Sequence, residues 1–172
     1  MIIMGFDISS TNIGVVTWDT TGEGQALRHQ TIRLNENHSL GRRLLAGHAE
    51  LTMLFPTLRP DLVAYEGPAY SKKNVLSIFA QAAMAGQLLA LCAGIGIPTV
   101  VIQPTTAKKA LSGSGKADKE EMILCASAYL SGPYDEHAAD ALGVVLAAVQ
   151  KAELEQQVGK PAPRPRRRKV AA

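Results

Sequence analysis

Met4-Gly-Phe-Asp-Ile-Ser-Ser-Thr-Asn-Ile-Gly-Val-Val-Thr-Trp-Asp19 decides the fold. Met1 to Phe6 is almost continuously apolar and predicts a buried strand. Asp7 interrupts it, a small polar turn covers Ser9 to Asn12, and Ile13 to Trp18 predicts a second strand. Asn12 and Gly14 are expected to supply any positive φ that a tight connection needs. A carboxylate at the end of an inner strand costs several kcal/mol if buried without a partner. Two readings stay open for Asp7: a metal ligand, or a cap on the turn through its own side chain.

A chain of 172 residues, 47% of them hydrophobic, suffices for one domain with a substantial core. No uncharged apolar run of about 18 residues is expected, hence no membrane span and no membrane partner. The first residues lack the basic flank and small-residue cleavage site of a signal peptide. Cys92 and Cys125 sit in apolar helical patterns and read as core thiols, so a cytoplasmic location is the default expectation. Charge is unevenly spread. Six of the 18 Lys and Arg residues follow Glu155, with no acid among them, which leaves 12 against 15 Asp and Glu in the body. The chain therefore divides into a body over residues 1–155 and a basic, proline-rich tail over 156–172. The tail reads as a disordered arm seeking a polyanion, with nucleic acid the favoured partner over mere solubilisation.

Asp61-Leu-Val-Ala-Tyr-Glu66 repeats the opening pattern, a short apolar strand ending in an acid. In an α/β sheet that carboxyl edge is where sites are built. Leu40 to Leu58 has helical spacing, with Arg42 and Arg43 on its polar side and Pro56 and Pro60 closing it. His38 and His48 read as surface or cap residues. Lys72 to Gly94 predicts a long helix whose apolar residues cover more than one face, as if buried against both the sheet and a second subunit. Ile97 to Ile102 predicts another inner strand, and Thr105 to Leu111 a short helix bearing Lys108 and Lys109. The loop Ser112 to Lys119 lacks P-loop spacing, yet sets Lys116 and Lys119 beside the start of a helix running through Tyr129. His137 and Asp140, three apart, share one face near the first turn of the last helix. With Asp7 and Glu66 they complete an acidic set of the kind that holds Mg²⁺ through oxygen ligands and water.

Four segments, in this order, carry a resemblance to a known family: Gly5-Phe-Asp7-Ile-Ser, Tyr65-Glu66-Gly-Pro, the lysine-rich stretch from Thr106 through Lys108 to Lys119, and His137-Ala-Ala-Asp140-Ala-Leu. Residues 1–150 resemble the RuvC-type Holliday-junction resolvases of the ribonuclease-H-like superfamily. The resemblance implies an α/β, ribonuclease-H-like fold with a five-stranded mixed sheet, its first three strands antiparallel, flanked by helices. It also implies a homodimer with two sites facing one four-way DNA junction. Carried over, Asp7, Glu66, His137 and Asp140 are metal ligands for two Mg²⁺ ions, Mn²⁺ substituting, and Lys108 and Lys119 stand beside the scissile phosphate. Members often carry an aromatic residue soon after the second acid; here Tyr70 occupies a shifted position. DNA contacts are expected from Tyr70, Lys72, Lys73, Lys109, Lys116 and the tail residues Arg166, Arg167 and Arg168.

The implied chemistry is phosphodiester hydrolysis leaving 5′-phosphate and 3′-hydroxyl ends. Rival readings are a fork or flap nuclease or a ribonuclease of the same superfamily, and a junction-binding protein without activity. The opening Gly-x-Asp motif also resembles the phosphate loop of sugar kinases and actin-like ATPases, which need a much longer chain.

Overall fold

The computed structural model describes residues 1–21, 26–67 and 75–158. Tyr70, Lys72, Lys73 and the tail with Arg166, Arg167 and Arg168 lie outside the described residues. In chain order the elements are β1 (Ile2–Ile8), β2 (Asn12–Asp19), β3 (Ala26–Arg33), α1 (Leu40–Leu58), β4 (Leu62–Glu66), α2 (Val75–Ile95), β5 (Thr99–Ile102), α3 (Pro104–Ser112), α4 (Lys119–Ala126) and α5 (Glu136–Val158). The strands form one five-stranded sheet in the order β3-β2-β1-β4-β5. β1, β2 and β3 are antiparallel; β4 pairs parallel to β1, and β5 parallel to β4. That is the expected mixed sheet.

Successive strand residues point to opposite faces, and each face meets its own helices. Met4, Phe6, Ile13, Val15 and Val63 pack with Leu51 and Phe55 of α1 and Met84 and Leu88 of α2. Ile3, Val16, Trp18, Ala64 and Ile102 pack with the α5 stripe from Ala138 to Ala148, and with Ala107, Leu111 and Met122 of α3 and α4. Both β1 and β4 are central and buried on two sides, which is why each reads as an unbroken apolar run.

Several local expectations are corrected. β1 runs through Asp7 to Ile8, because Asp7 pairs with Gly14 in the ladder instead of ending it. Among the described residues, positive φ occurs at Arg59, Gly96, Gly113 and Gly132, so neither Asn12 nor Gly14 uses it. Pro56 lies inside α1; the helix ends two residues later, with Arg59 left-handed at φ 42° and its N–H on the Phe55 carbonyl. α4 stops at Ala126 and the chain turns before Tyr129. The largest correction concerns α2. Its 21 residues carry no Asp, Glu, Lys or Arg, and by length and composition it is apolar enough to cross a membrane. One stripe of it, Met84, Leu88 and Cys92, is instead buried at helical spacing against the sheet and α1.

Gly5 sets how closely α5 approaches β1. A Cβ there would stand 2.4 Å from Val145 Cγ2 and 2.8 Å from the Ala141 carbonyl oxygen. Alanine normally gains slightly over glycine in a strand, but overpacking a filled core costs more. We expect Gly5→Ala to lower stability by ~2 kcal/mol, measured by urea unfolding; an unchanged or higher midpoint would refute this packing account.

Candidate active site

Parity along the strands brings the first two acids together. Asp7 lies two residues beyond Gly5, and Glu66 two beyond Ala64, whose side chain belongs to the α5-facing core. Both carboxylates therefore point to the α5 side, on neighbouring strands and toward their C-terminal ends. The turn after β1 does not need Asp7. Ser9 Oγ accepts the Asn12 N–H at 2.8 Å and donates to the Asn12 carbonyl at 2.8 Å. Arg43 Nη1 also donates to the Ser10 carbonyl at 2.8 Å, tying α1 to this turn. Asp7 is thereby left to face α5, where its Oδ2 lies 2.9 Å from His137 Nδ1. That hydrogen bond holds the imidazole above its ordinary pKa, against the opposing effect of partial burial.

Asp140, one turn along α5, completes the set. Burial, then the nearby charges of Asp7 and Asp140, pushes the Glu66 carboxyl up to about 8. Burial, then Asp7, pushes Asp140 up to about 6. Lys108 on α3 opposes both shifts, so its ammonium stands in the same field. Its Nζ donates to the Ala117 carbonyl, which pins the loop between α3 and α4.

Lys119 is tied elsewhere. Its Nζ lies 2.6 Å from Glu136 Oε2, with the lysine side chain 71% exposed, at the rim of the cleft. The other Glu136 oxygen stands 4.0 Å from His137 Nε2. Lys109 and Lys116 are exposed near the same end of the molecule's α3–α4 segment. Sequence reading missed Glu136, because an acid in the first turn of a helix is ordinarily explained by the helix dipole. It also missed Asp135, whose Oδ1 accepts the Ala138 N–H at 3.1 Å. An Asp immediately before a helix is a legible cap signal, but nothing local says what else it holds.

Among the described residues, no three His, Cys, Asp or Glu side chains close into a ready-made metal cage. The donor chemistry nevertheless fits a hard divalent cation. Glu66 and Asp140, each raised by burial and by the charge of neighbouring Asp7, are stabilised by added positive charge, and oxygen donors suit Mg²⁺ or Mn²⁺.

The profile of the family described as "Crossover junction endodeoxyribonuclease RuvC" matches residues 3–148. A relative of that name from Chlorobium phaeovibrioides is 35% identical over 85% of this chain and 79% of its own length. Another, from Salinispora arenicola, is 30% identical over 97% of this chain and 98% of its own. The Thermus thermophilus RuvC structure superposes with a TM-score of 0.74 at 26% identity, covering 90% of this chain and 96% of that one.

The raised carboxyl groups make a pH prediction. A folded pKa above the ordinary value favours the protonated fold, so stability is lost as pH rises from the unfolded to the folded value. For Glu66 that window runs from 4.5 to about 8, and for Asp140 from 3.8 to about 6. In chelator, the melting temperature of the wild type should therefore fall between pH 5 and 8. Asp140→Asn should melt ~3 °C higher than wild type at pH 8, the gap narrowing below pH 6 and closing near pH 4. Calorimetry showing no pH-dependent gap would remove the mutual repulsion inferred here.

Proposed function

The chain belongs to the RuvC family of crossover junction endodeoxyribonucleases, and from that premise we propose that Asp7, Glu66, His137 and Asp140 are the residues that hold its catalytic metal. It is a divalent-metal-dependent endonuclease that resolves four-way DNA junctions as a homodimer. The finer assignment is two Mg²⁺ ions per site, with Mn²⁺ able to substitute. One observation carries it: residues 7, 66, 137 and 140, far apart in sequence, share one electrostatically coupled cleft at the strand ends.

When bound, such ions supply the charge neutralisation that an anionic phosphodiester requires before water attacks phosphorus. The products are a 5′-phosphate and a 3′-hydroxyl, the P–O3′ bond breaking as the new P–O bond forms. The protein's own groups do the rest. Asp7 fixes the His137 ring through Nδ1, which leaves Nε2 turned outward toward the cleft mouth. Lys108, buttressed on the Ala117 carbonyl, contributes positive charge beside Glu66 and Asp140. Lys119 at the rim is placed to meet a phosphate that enters past Glu136.

The dimer face is α2. Val75, Leu76 and Phe79 are 70%, 82% and 62% exposed, and the exposed stripe continues through Ala82, Gly86 and Ala90. Large apolar groups at one end and small residues along the rest suit close packing of one helix on its copy. This accounts for the second apolar side of a helix whose first side is buried on the sheet.

Asp7→Asn should reduce cleavage by on the order of 10³-fold while junction binding persists. The assay compares a four-way junction, a fork, a 5′-flap, linear duplex and an RNA–DNA hybrid, each with Mg²⁺ and with EDTA. Paired metal-dependent cuts confined to the junction support the reading; equal cutting of forks and flaps would replace it with a general debranching nuclease. A second measurement addresses the dimer. Phe79→Asp should weaken self-association at least ~30-fold, as loss of an interface anchor does, when followed by sedimentation. An unaffected dimer would exclude this face.

A further inference from the structure

The first turn of α5 rests on a single row of residues across the sheet. Asp7 of β1 pairs with Gly14 of β2, and Gly14 pairs with Thr31 of β3. Cross-strand partners project from the same face, so the row presents Asp7, a gap at Gly14, and Thr31. α5 begins across it. At one end His137 Nδ1 meets Asp7 Oδ2 at 2.9 Å. In the middle, a Cβ on Gly14 would stand 2.1 Å from the His137 carbonyl oxygen, so that backbone sits directly on the glycine. At the other end Asp135 Oδ1 accepts Thr31 Oγ1 at 2.6 Å, and Oδ2 accepts Arg33 Nη2 at 2.7 Å. The same Asp135 starts the helix, accepting Ala138 N–H on its carboxylate and Ala139 N–H on its carbonyl, each at 3.1 Å.

This arrangement answers a question that the apolar core leaves open. The sheet-facing stripe of α5 is alanine and valine with Leu142 and Leu146 in its middle, and apolar contact by itself is non-directional. A slide of one residue would move His137 and Asp140 by about 1.5 Å along the helix axis and rotate them by about 100°. Directional bonds at the helix start hold the register together with the close fit of Val145 over Gly5. We propose that Asp135, gripped by Thr31, is a positioning residue that holds His137 and Asp140 opposite Asp7. The grip comes from the edge strand and lies outside the metal-binding group. Thr31 is the stronger partner. Its hydroxyl donates to a charged acceptor at a partly buried contact, whereas the Arg33 side chain is 70% exposed and its ion pair is screened.

The inference rests on the assignment of Asp7, His137 and Asp140 to the metal, so its test separates the two. Thr31→Val removes the hydroxyl at nearly constant shape, Thr31→Ser keeps it, and Asp135→Asn keeps the cap while removing the charge. Each full-length dimer is titrated with Mn²⁺ alone by calorimetry, assayed for junction binding in EDTA, and followed for cleavage against Mg²⁺ concentration. Thr31→Val should weaken Mn²⁺ binding ~10-fold, the lower bound for lost outer partners of metal ligands, and raise the half-saturating Mg²⁺ similarly. Junction affinity should hold, Thr31→Ser should behave as wild type, and Asp135→Asn, which keeps an acceptor for the Thr31 hydroxyl and loses only the Arg33 pair, should lose less than Thr31→Val. Wild-type Mn²⁺ affinity in folded Thr31→Val overturns the clamp, and so does a larger loss in Asp135→Asn than in Thr31→Val. So does a defect in Thr31→Val that Thr31→Ser shares. Asp7→Asn is run beside them: retained Mn²⁺ binding there defeats the metal-site assignment itself, and its loss with unaffected Thr31 and Asp135 variants defeats the clamp alone.

Discussion

Like charge held in a half-buried cleft is the constraint to which the rest of this structure answers. Parity on β1 and β4 directs Asp7 and Glu66 to the same side, and α5 adds Asp140. Burial and the neighbouring charge of Asp7 raise both Glu66 and Asp140, so the protein alone is poorer for having them. A fold keeps such an arrangement only by over-determining it from outside. The two faces of the sheet supply that. Met4, Phe6, Ile13 and Val15 are sealed beneath α1 and α2, while Ile3, Val16 and Ala64 are sealed beneath α5. The backbone that carries the acids is thus anchored from both faces of the sheet.

The division of labour follows from the elements themselves. Two acids sit on central strands, whose positions are fixed by ladders on both sides. His137 and Asp140 ride on a helix that seats Val145 over Gly5, and directional bonds at its start add to that packing in holding its register. Lysines sit on the α3–α4 segment, where Lys108 is braced on a carbonyl and Lys119 is held by an exposed ion pair. Rigidity therefore falls from the carboxylates outward to the cations. A metal site needs the first, and a DNA backbone that must enter and leave is better met by the second.

Much of this is legible in the sequence, for identifiable reasons. Strands buried on two sides write themselves as apolar runs, so the acids that end them, Asp7 and Glu66, stand out. The i, i+3 spacing of His137 and Asp140 places them on one helix face without any tertiary knowledge. What stays hidden is register. Gly14 reads as a turn residue, yet it is an extended strand position whose missing side chain admits the His137 backbone. Nothing local marks Thr31 or Arg33 as having a partner, yet they reach Asp135 more than a hundred positions away. Lys119 reads as a phosphate contact, and its pairing with Glu136 follows from helix packing that no local pattern encodes.

α2 shows the same limit from the other side. Its composition satisfies two incompatible solvents, since an uncharged 21-residue helix of this hydropathy suits a bilayer or a doubly covered core. Hydropathy averages over faces and cannot choose between them. The buried stripe through Met84 and Leu88 can, because it fits a sheet already closed by α1. Once that stripe is used, the exposed Leu76 and Phe79 form a second apolar face that water would penalise in a monomer. On the dimer face proposed above, a two-fold partner would cover these residues with the same residues from its own copy. Two carboxylate clefts are then fixed in one body, and a substrate with two equivalent strands to cut calls for such a pair.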